Sequence, residues 1–246
     1  MRAKWLGLAL VLLGSHAWAQ VGELYNVDVT ENTSITDPAR AVKAAEGQWL
    51  AFSMPVLDGT RSPCCWKGKW NRMDEVGCSL ESRHQSYGTR SDSPLADNVI
   101  VFSEIRDGQV QSLRLVGESC PVEGNGSQVT WIGSVDNTAG LEWLEGVARL
   151  DTRDSAGESA LFALALHRNS DAGQRLYALA LKPDDDLSEQ AIFWLGEARG
   201  NQGSRMLFDI AKDRRAPREA RRQALFWLAQ SDDDNTIAAL TALLTH

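Results

Sequence analysis

One apolar pattern recurs three times between Asp151 and His246, and a chain that repeats itself at this period has few ways to fold. Ala160, Phe162 and Leu164 return 31 residues later as Ala191, Phe193 and Leu195, and after a further 33 as Ala224, Phe226 and Leu228. Twelve residues beyond each closing leucine stands another, Leu176, Leu207 and Leu240, followed by Leu179, Ile210 and Leu243. Leu187, Ala191, Trp194 and Leu195 lie at i, i+4, i+7 and i+8, and Ala220, Ala224, Trp227 and Leu228 repeat that stripe, which is helical spacing. Asp186 and Glu189 have capping-box spacing, Pro217 suits a first turn, and Gly200 suits the end of the preceding helix. Each copy therefore reads as helix, turn, helix. A helical pair this short cannot bury its apolar face alone, so neighbouring pairs must stack.

The segments AIFWLGEA and ARRQALFWLAQSDDD resemble the HEAT-like, PBS-lyase-type repeats of bacterial proteins. That resemblance implies an all-α solenoid of about three helical pairs over residues 151–246. Tyr177 and Phe208 share one column of the second helices; they are the candidate partner surface, set against a plainer role in packing between repeats. The triplets Asp184–Asp186 and Asp232–Asp234 lack the alternating oxygens, central glycine and closing glutamate of a calcium loop, and read as solvated loop residues.

Residues 20–150 follow a different pattern. Asp37-Pro38 opens a short helix that Gly47 closes, and Gln48 to Val56 reads as a strand. Asn98 to Arg106 pairs with Gln109 to Gly117 across Asp107-Gly108, a strong hairpin turn. Val129 to Gly133 adds a strand, and Thr138 to Leu150 a helix leading into the repeats. The expected fold class is thus a β-rich, disulfide-bonded α+β domain followed by the helical-repeat solenoid.

All four cysteines, Cys64, Cys65, Cys78 and Cys120, fall in this half. An even count in an exported chain implies disulfides. A bridge between adjacent Cys64 and Cys65 needs a strained ring and is set aside. Adjacent side chains in an extended segment point opposite ways, which favours Cys65 with Cys78 and Cys64 with Cys120, the crossed pairing remaining open. A zinc set with His84 lacks the paired spacings of known zinc folds, and a thioredoxin-like exchange site wants C-x-x-C. The segments PCCWKGKW, GCSLESR, ESCPVEG and VTWIG resemble the exported N-terminal region of bacterial HEAT-repeat proteins, some encoded near regulators of envelope-stress transcription. The resemblance implies an envelope setting and supplies no activity.

Export is read from the first residues: Arg2 and Lys4, the apolar run Leu6 to Leu13, and Ala17-Trp18-Ala19 form a signal peptide spanning 1–19. Cleavage after Ala19 yields a periplasmic or secreted chain without a membrane span. It removes two of 25 basic residues and none of 33 acidic ones, leaving 23 − 33 = −10. Such a charge, with no basic stripe to override it, argues against nucleic acid.

Catalytic signatures are absent. His16 leaves with the leader and His246 is the last residue, so only His84 and His167 remain; no G-x-S-x-G, phosphate loop, H-E-x-x-H or dinucleotide fingerprint occurs. No residue is assigned to catalysis, a cofactor or a metal. Trp66, Lys67, Lys69 and Trp70 form a basic aromatic patch that either packs over the disulfides or contacts glycans. Two functions follow: a non-catalytic adaptor that binds another protein through its repeats, or an N-terminal domain that binds or hydrolyses an envelope ligand, with the repeats as support.

Overall fold

The computed structural model describes residues 23–69, 72–75, 77–82, 86–150, 155–183 and 186–230, with Ile237 and Leu240. The expected leader and its cleavage site, His84, Asp184, the 232–234 triplet, Leu243 and the side chains of the Trp66–Trp70 patch lie outside the described residues.

In chain order the elements are β1 (Leu24–Glu31), α1 (Pro38–Ala41), β2 (Trp49–Pro55), β3 (Cys64–Lys69), β4 (Arg72–Glu75), β5 (Cys78–Ser79), β6 (Ser86–Gly88), β7 (Asn98–Arg106), β8 (Gln109–Gly117), β9 (Val122–Ser134), α2 (Thr138–Ala148), α3 (Ser155–Leu166), α4 (Ser170–Ala180), α5 (Asp186–Ala198), α6 (Gly200–Lys212) and α7 (Arg218–Ala229). A mixed sheet runs β1-β9-β2-β7-β8, with β5 beside the start of β9; β4-β3-β6 form a small second sheet. β9 runs parallel to β1, β2 and β5, whereas β2, β7 and β8 are antiparallel neighbours.

The hairpin β7–β8 turns at Asp107 and Gly108, whose φ values of 54° and 68° are those of a primed turn that matches strand twist. The Glu46 carboxylate accepts both turn N–H groups, at 2.7 and 2.8 Å. The helix opened by Asp37 stops at Ala41, and turns carry the chain on to Gly47.

Alternation along the strands sorts the core into two layers. Leu50, Phe52 and Met54 of β2, with Val99, Val101, Leu113, Leu115 and Ile132, face the helices. Trp49, Ala51, Ile100, Phe102, Val116, Val129 and Trp131 face the cysteines. A sheet covered on both faces needs strands apolar at nearly every position, which is why β2 is buried throughout.

This overturns the expected fold class. The mixed sheet takes strands from Leu24 to Ser134, and the helices are not an all-α solenoid set after a small β domain. One continuous core joins Phe52 and Leu115 of the sheet to Leu164, Leu179, Leu207 and Leu228 of the helices. Past its last turn, α3 joins the sheet: Leu57 N–H donates to Leu166 O at 2.8 Å, Arg168 N–H donates to Pro55 O at 3.0 Å, and Val56 bridges His167. The repeat spacing marks the helices α3 to α7 correctly, the second helix of the third copy lying largely outside the described residues, but says nothing about what the first pair packs on. Long-range pairing with β2 decides that.

The seam is held from the helical side by Arg199, buried at the start of α6. Its guanidinium donates to Ala165 O (3.3 Å), His167 O (2.6 Å) and Asn169 O (3.4 Å), and to Gln202 Oε1. The Ala165 and His167 carbonyls at the end of α3 thereby gain donors and a complementary charge, and Asn169 O adds this donor to the Ala172 N–H. Beside it, α5 and α6 cross so closely that a Cβ on Gly203 would stand 1.8 Å from Leu195 O.

Candidate functional site

The repeated motif contains a residue out of phase with its own core. At about 100° per residue, the Phe two positions after each Ala sits roughly 200° round the helix, while the Leu two further on returns to within about 40° of the Ala. The structure follows that geometry. Ala160, Leu164, Ala191, Leu195, Ala224 and Leu228 are buried, whereas Phe162 and Phe193 are half-buried and Phe226 is 52% exposed.

Three helices bring these rings together, with α5 lying between α3 and α7. Phe162 meets Trp194 at 4.6 Å between ring centroids, Trp194 meets Phe193 at 4.7 Å, Phe193 meets Trp227 at 5.0 Å, and Trp227 meets Phe226 at 5.3 Å. Five rings form one continuous ladder. Gly196 makes room for it: a Cβ there would lie 3.2 Å from Trp227 Cβ, so the indole rests on bare α5 backbone. Each edge or tilted pair contributes about 0.5–1.5 kcal/mol, which fixes the rings but leaves Phe226 presenting its outer face to solvent.

At its α7 end the ladder continues into charge. Arg218, Arg222 and Phe226 are spaced i, i+4, i+8 and are all exposed, forming one stripe along the helix. Arg215, Arg218 and Arg222 line an open cleft of about 800 Å³ whose opposite wall includes Leu181 and Pro183. From Lys212 to Arg222 the chain places six basic residues against two acidic ones, 6 − 2 = +4, within a protein of net −8. The expectation of no basic stripe rested on an average that conceals this run. Asp213 accepts from Arg215, and Glu219 from Arg222. The Arg222 hydrogen bond holds the Glu219 carboxyl below the usual range, and hydrogen bonds from the Arg215 backbone and side chain do the same for Asp213.

No protein-family model, curated protein or solved structure matches this chain. The site is therefore read from its own chemistry.

Tyr177 and Phe208, singled out in the sequence, lie on α4 and α6 rather than on the helices of the ladder. Both are half-buried against the common core. Burial, then the charges of Asp209 and Asp213, push the Tyr177 hydroxyl pKa up, and Lys212 Nζ sits 5.5 Å from the Phe208 ring centroid.

The cysteines form two disulfides, Cys64–Cys120 and Cys65–Cys78, with Cα separations of 5.5 and 4.9 Å. These are the pairs the sequence favours, but the sulfurs are not held apart as opposed side chains would be. All four residues enter one core with Trp49 and Trp131, and Cys78 Sγ is 3.9 Å from Cys120 Sγ. The sulfurs of Cys64, Cys78 and Cys120 that a metal set would use are engaged in these bridges.

His167, the remaining histidine of interest, is buried in the seam. Its Nδ1 accepts from Asn169 N–H at 3.1 Å, so the proton of the neutral ring is assigned to Nε2. Burial, more than anything else, lowers its pKa, and Arg199 adds to that; Asp136 and a hydrogen bond to the Val135 backbone oppose the shift without cancelling it. At 3.9 Å, with Asp136 half exposed, the carboxylate is a weak counter-charge. A base whose folded pKa lies below its unfolded value binds protons preferentially in the unfolded chain. Stability from this group is complete above an unfolded pKa of about 6.5 and declines as pH falls below it. Urea midpoints measured at stepped pH should fall across that window and fall less in His167→Gln; equal falls would contradict this assignment.

Proposed function

We propose that this chain is a protein-binding adaptor and that its partner docks on the ladder Phe162–Trp194–Phe193–Trp227–Phe226. The observation that carries the reading is the position of the motif phenylalanines: three helices repeat a large apolar residue on the stripe that otherwise bears Glu158, Glu189, Glu197, Arg218 and Arg222. The Ala and Leu of the motif are buried in every copy, whereas its Phe passes from Phe162, half-buried against the core, to Phe226, 52% exposed. Rigid aromatic rings, already ordered by one another, suit a binding anchor because little conformational entropy remains to be lost on association.

The two buried disulfides support an oxidising setting, and with it the periplasmic or secreted location that the expected leader implies. The envelope is accordingly where the partner is sought.

Affinity capture from envelope extract tests the proposal, using the intact chain, Phe226→Ser, and Tyr177→Ala/Phe208→Ala, each with unchanged far-UV circular dichroism. One specific protein should be retained by the intact chain and by the Tyr177/Phe208 variant, and its yield should fall about tenfold with Phe226→Ser, equivalent to losing one anchor of about 1.4 kcal/mol. Loss confined to the Tyr177/Phe208 variant would transfer the surface to α4 and α6 and refute the ladder.

A further inference from the structure

We infer that the segment received by this surface is acidic: a stretch of the partner carrying Asp or Glu beside an apolar anchor, with its carboxylates in the arginine cleft and its anchor on Phe226 and Trp227. The inference rests on the adaptor reading above and adds the partner's chemistry.

Three observations carry it. The cleft and the ladder are one surface, because Arg218, Arg222 and Phe226 follow each other along a single stripe of α7. Among the described residues the cleft is lined by Arg215, Arg218 and Arg222 and by one carboxylate, Glu219, with Arg215 also paired to Asp213. Glu219 is engaged by Arg222 Nε and Nη2, and among the described residues Nη1 of that fork and the Arg218 guanidinium have no carboxylate hydrogen-bonded to them. Guanidinium groups bind carboxylates through paired, charge-assisted hydrogen bonds, and arginine clusters are a recurrent means of recognising acidic peptide motifs.

The charge distribution also selects against other occupants. A second copy of a chain of net −8 repels the first over most of its surface. A nucleic acid would meet Glu189, Glu197 and Glu158 along the remainder of the ladder. A short acidic segment avoids both penalties, since only its carboxylates need enter the basic end while its apolar residue covers the ring faces. Charges at the margin of such a site act chiefly on the association rate and its salt dependence.

The test is selection of a displayed random-peptide library, about 16 residues long, on the full disulfide-bonded chain. The best enriched peptide is then measured by stopped flow at about 50 and about 300 mM salt. The inference expects enrichment of Asp and Glu flanking an aromatic or aliphatic residue. The association rate should fall about tenfold and lose most of its salt dependence in Arg218→Glu/Arg222→Glu, with Arg218→Lys/Arg222→Lys keeping most of the salt dependence. Enriched apolar peptides without acidic residues, sensitive to Phe226→Ser and indifferent to charge reversal, would overturn this inference and leave the adaptor reading standing. Failure to enrich any motif would count against both. Self-association in sedimentation that charge reversal abolishes, or tighter binding of a single-stranded oligonucleotide than of any acidic peptide, would also overturn it.

Discussion

Removing the Cys64–Cys120 disulfide as the double alanine variant lowers unfolding free energy by about 4 kcal/mol, against about 3 kcal/mol for removing Cys65–Cys78. The difference follows from loop length, since the bridges span sequence separations of 56 and 13 residues and the longer loop restricts the unfolded chain more. Position reinforces it. Cys64–Cys120 ties β3 to the loop between β8 and β9, whereas Cys65–Cys78 closes a local excursion through β3, β4 and β5. Substitutions are made in pairs, because a single one would leave a free sulfur beside the surviving bridge, where Cys78 and Cys120 are already 3.9 Å apart and exchange would scramble the result. Guanidinium unfolding of both variants checks the order. A larger loss from the short loop than from the long one would show that packing in the tryptophan-lined core outweighs chain entropy.

Arg199→Leu costs at least about 3 kcal/mol and is the most damaging single charge deletion in the helical half. Two effects compete. Replacing a buried charge by an apolar side chain removes its desolvation penalty and is neutral or stabilising at some sites, and burial does lower the Arg199 pKa. Here, however, the leucine would leave Ala165 O and His167 O without the donors they now have, while Asn169 O would keep only the Ala172 N–H. Each orphaned buried carbonyl costs about 1–3 kcal/mol. The orphaned acceptors win. Arg199→Lys should lose less, since an ammonium retains the charge at the end of α3 but cannot span three carbonyls in one plane. Thermal unfolding of the three proteins decides the matter, and a melting temperature for Arg199→Leu equal to the parent would mean that the desolvation penalty cancels the bonds.

The sequence is most legible where contacts are local. The hairpin Asn98–Arg106/Gln109–Gly117 forms over the residues its alternation and Asp107-Gly108 turn indicate, and the Ala and Leu columns of the repeats are buried as helical spacing requires. β1 escapes because Leu24–Glu31 is a largely exposed edge strand with Asn26 at a φ of 51°, so its membership depends on β9 rather than on its own alternation. The shared core of sheet and helices was illegible for a similar reason: nothing near Leu166 in the sequence announces Leu57 as its hydrogen-bonding partner.

The candidate surface was half visible. The motif phenylalanines are legible as part of the repeat and their angle from Ala and Leu follows from helical spacing, whereas the column of Tyr177 and Phe208 carries no such phase difference from the packed stripe. The basic run Lys212 to Arg222 was likewise present in the sequence and averaged away in a net charge of −8.

The claim on which this account turns is that Phe226 lies against a partner. Site-specific photocrosslinking from a benzoylphenylalanine at position 226, compared with one at Tyr25, tests it most directly, because the two native residues are almost equally exposed, at 52% and 53%, and exposure alone would treat them alike. The account predicts an adduct of one defined mass from position 226 in the cell envelope and none from position 25. Adducts from position 25 alone, or the same diffuse products from both, would contradict it.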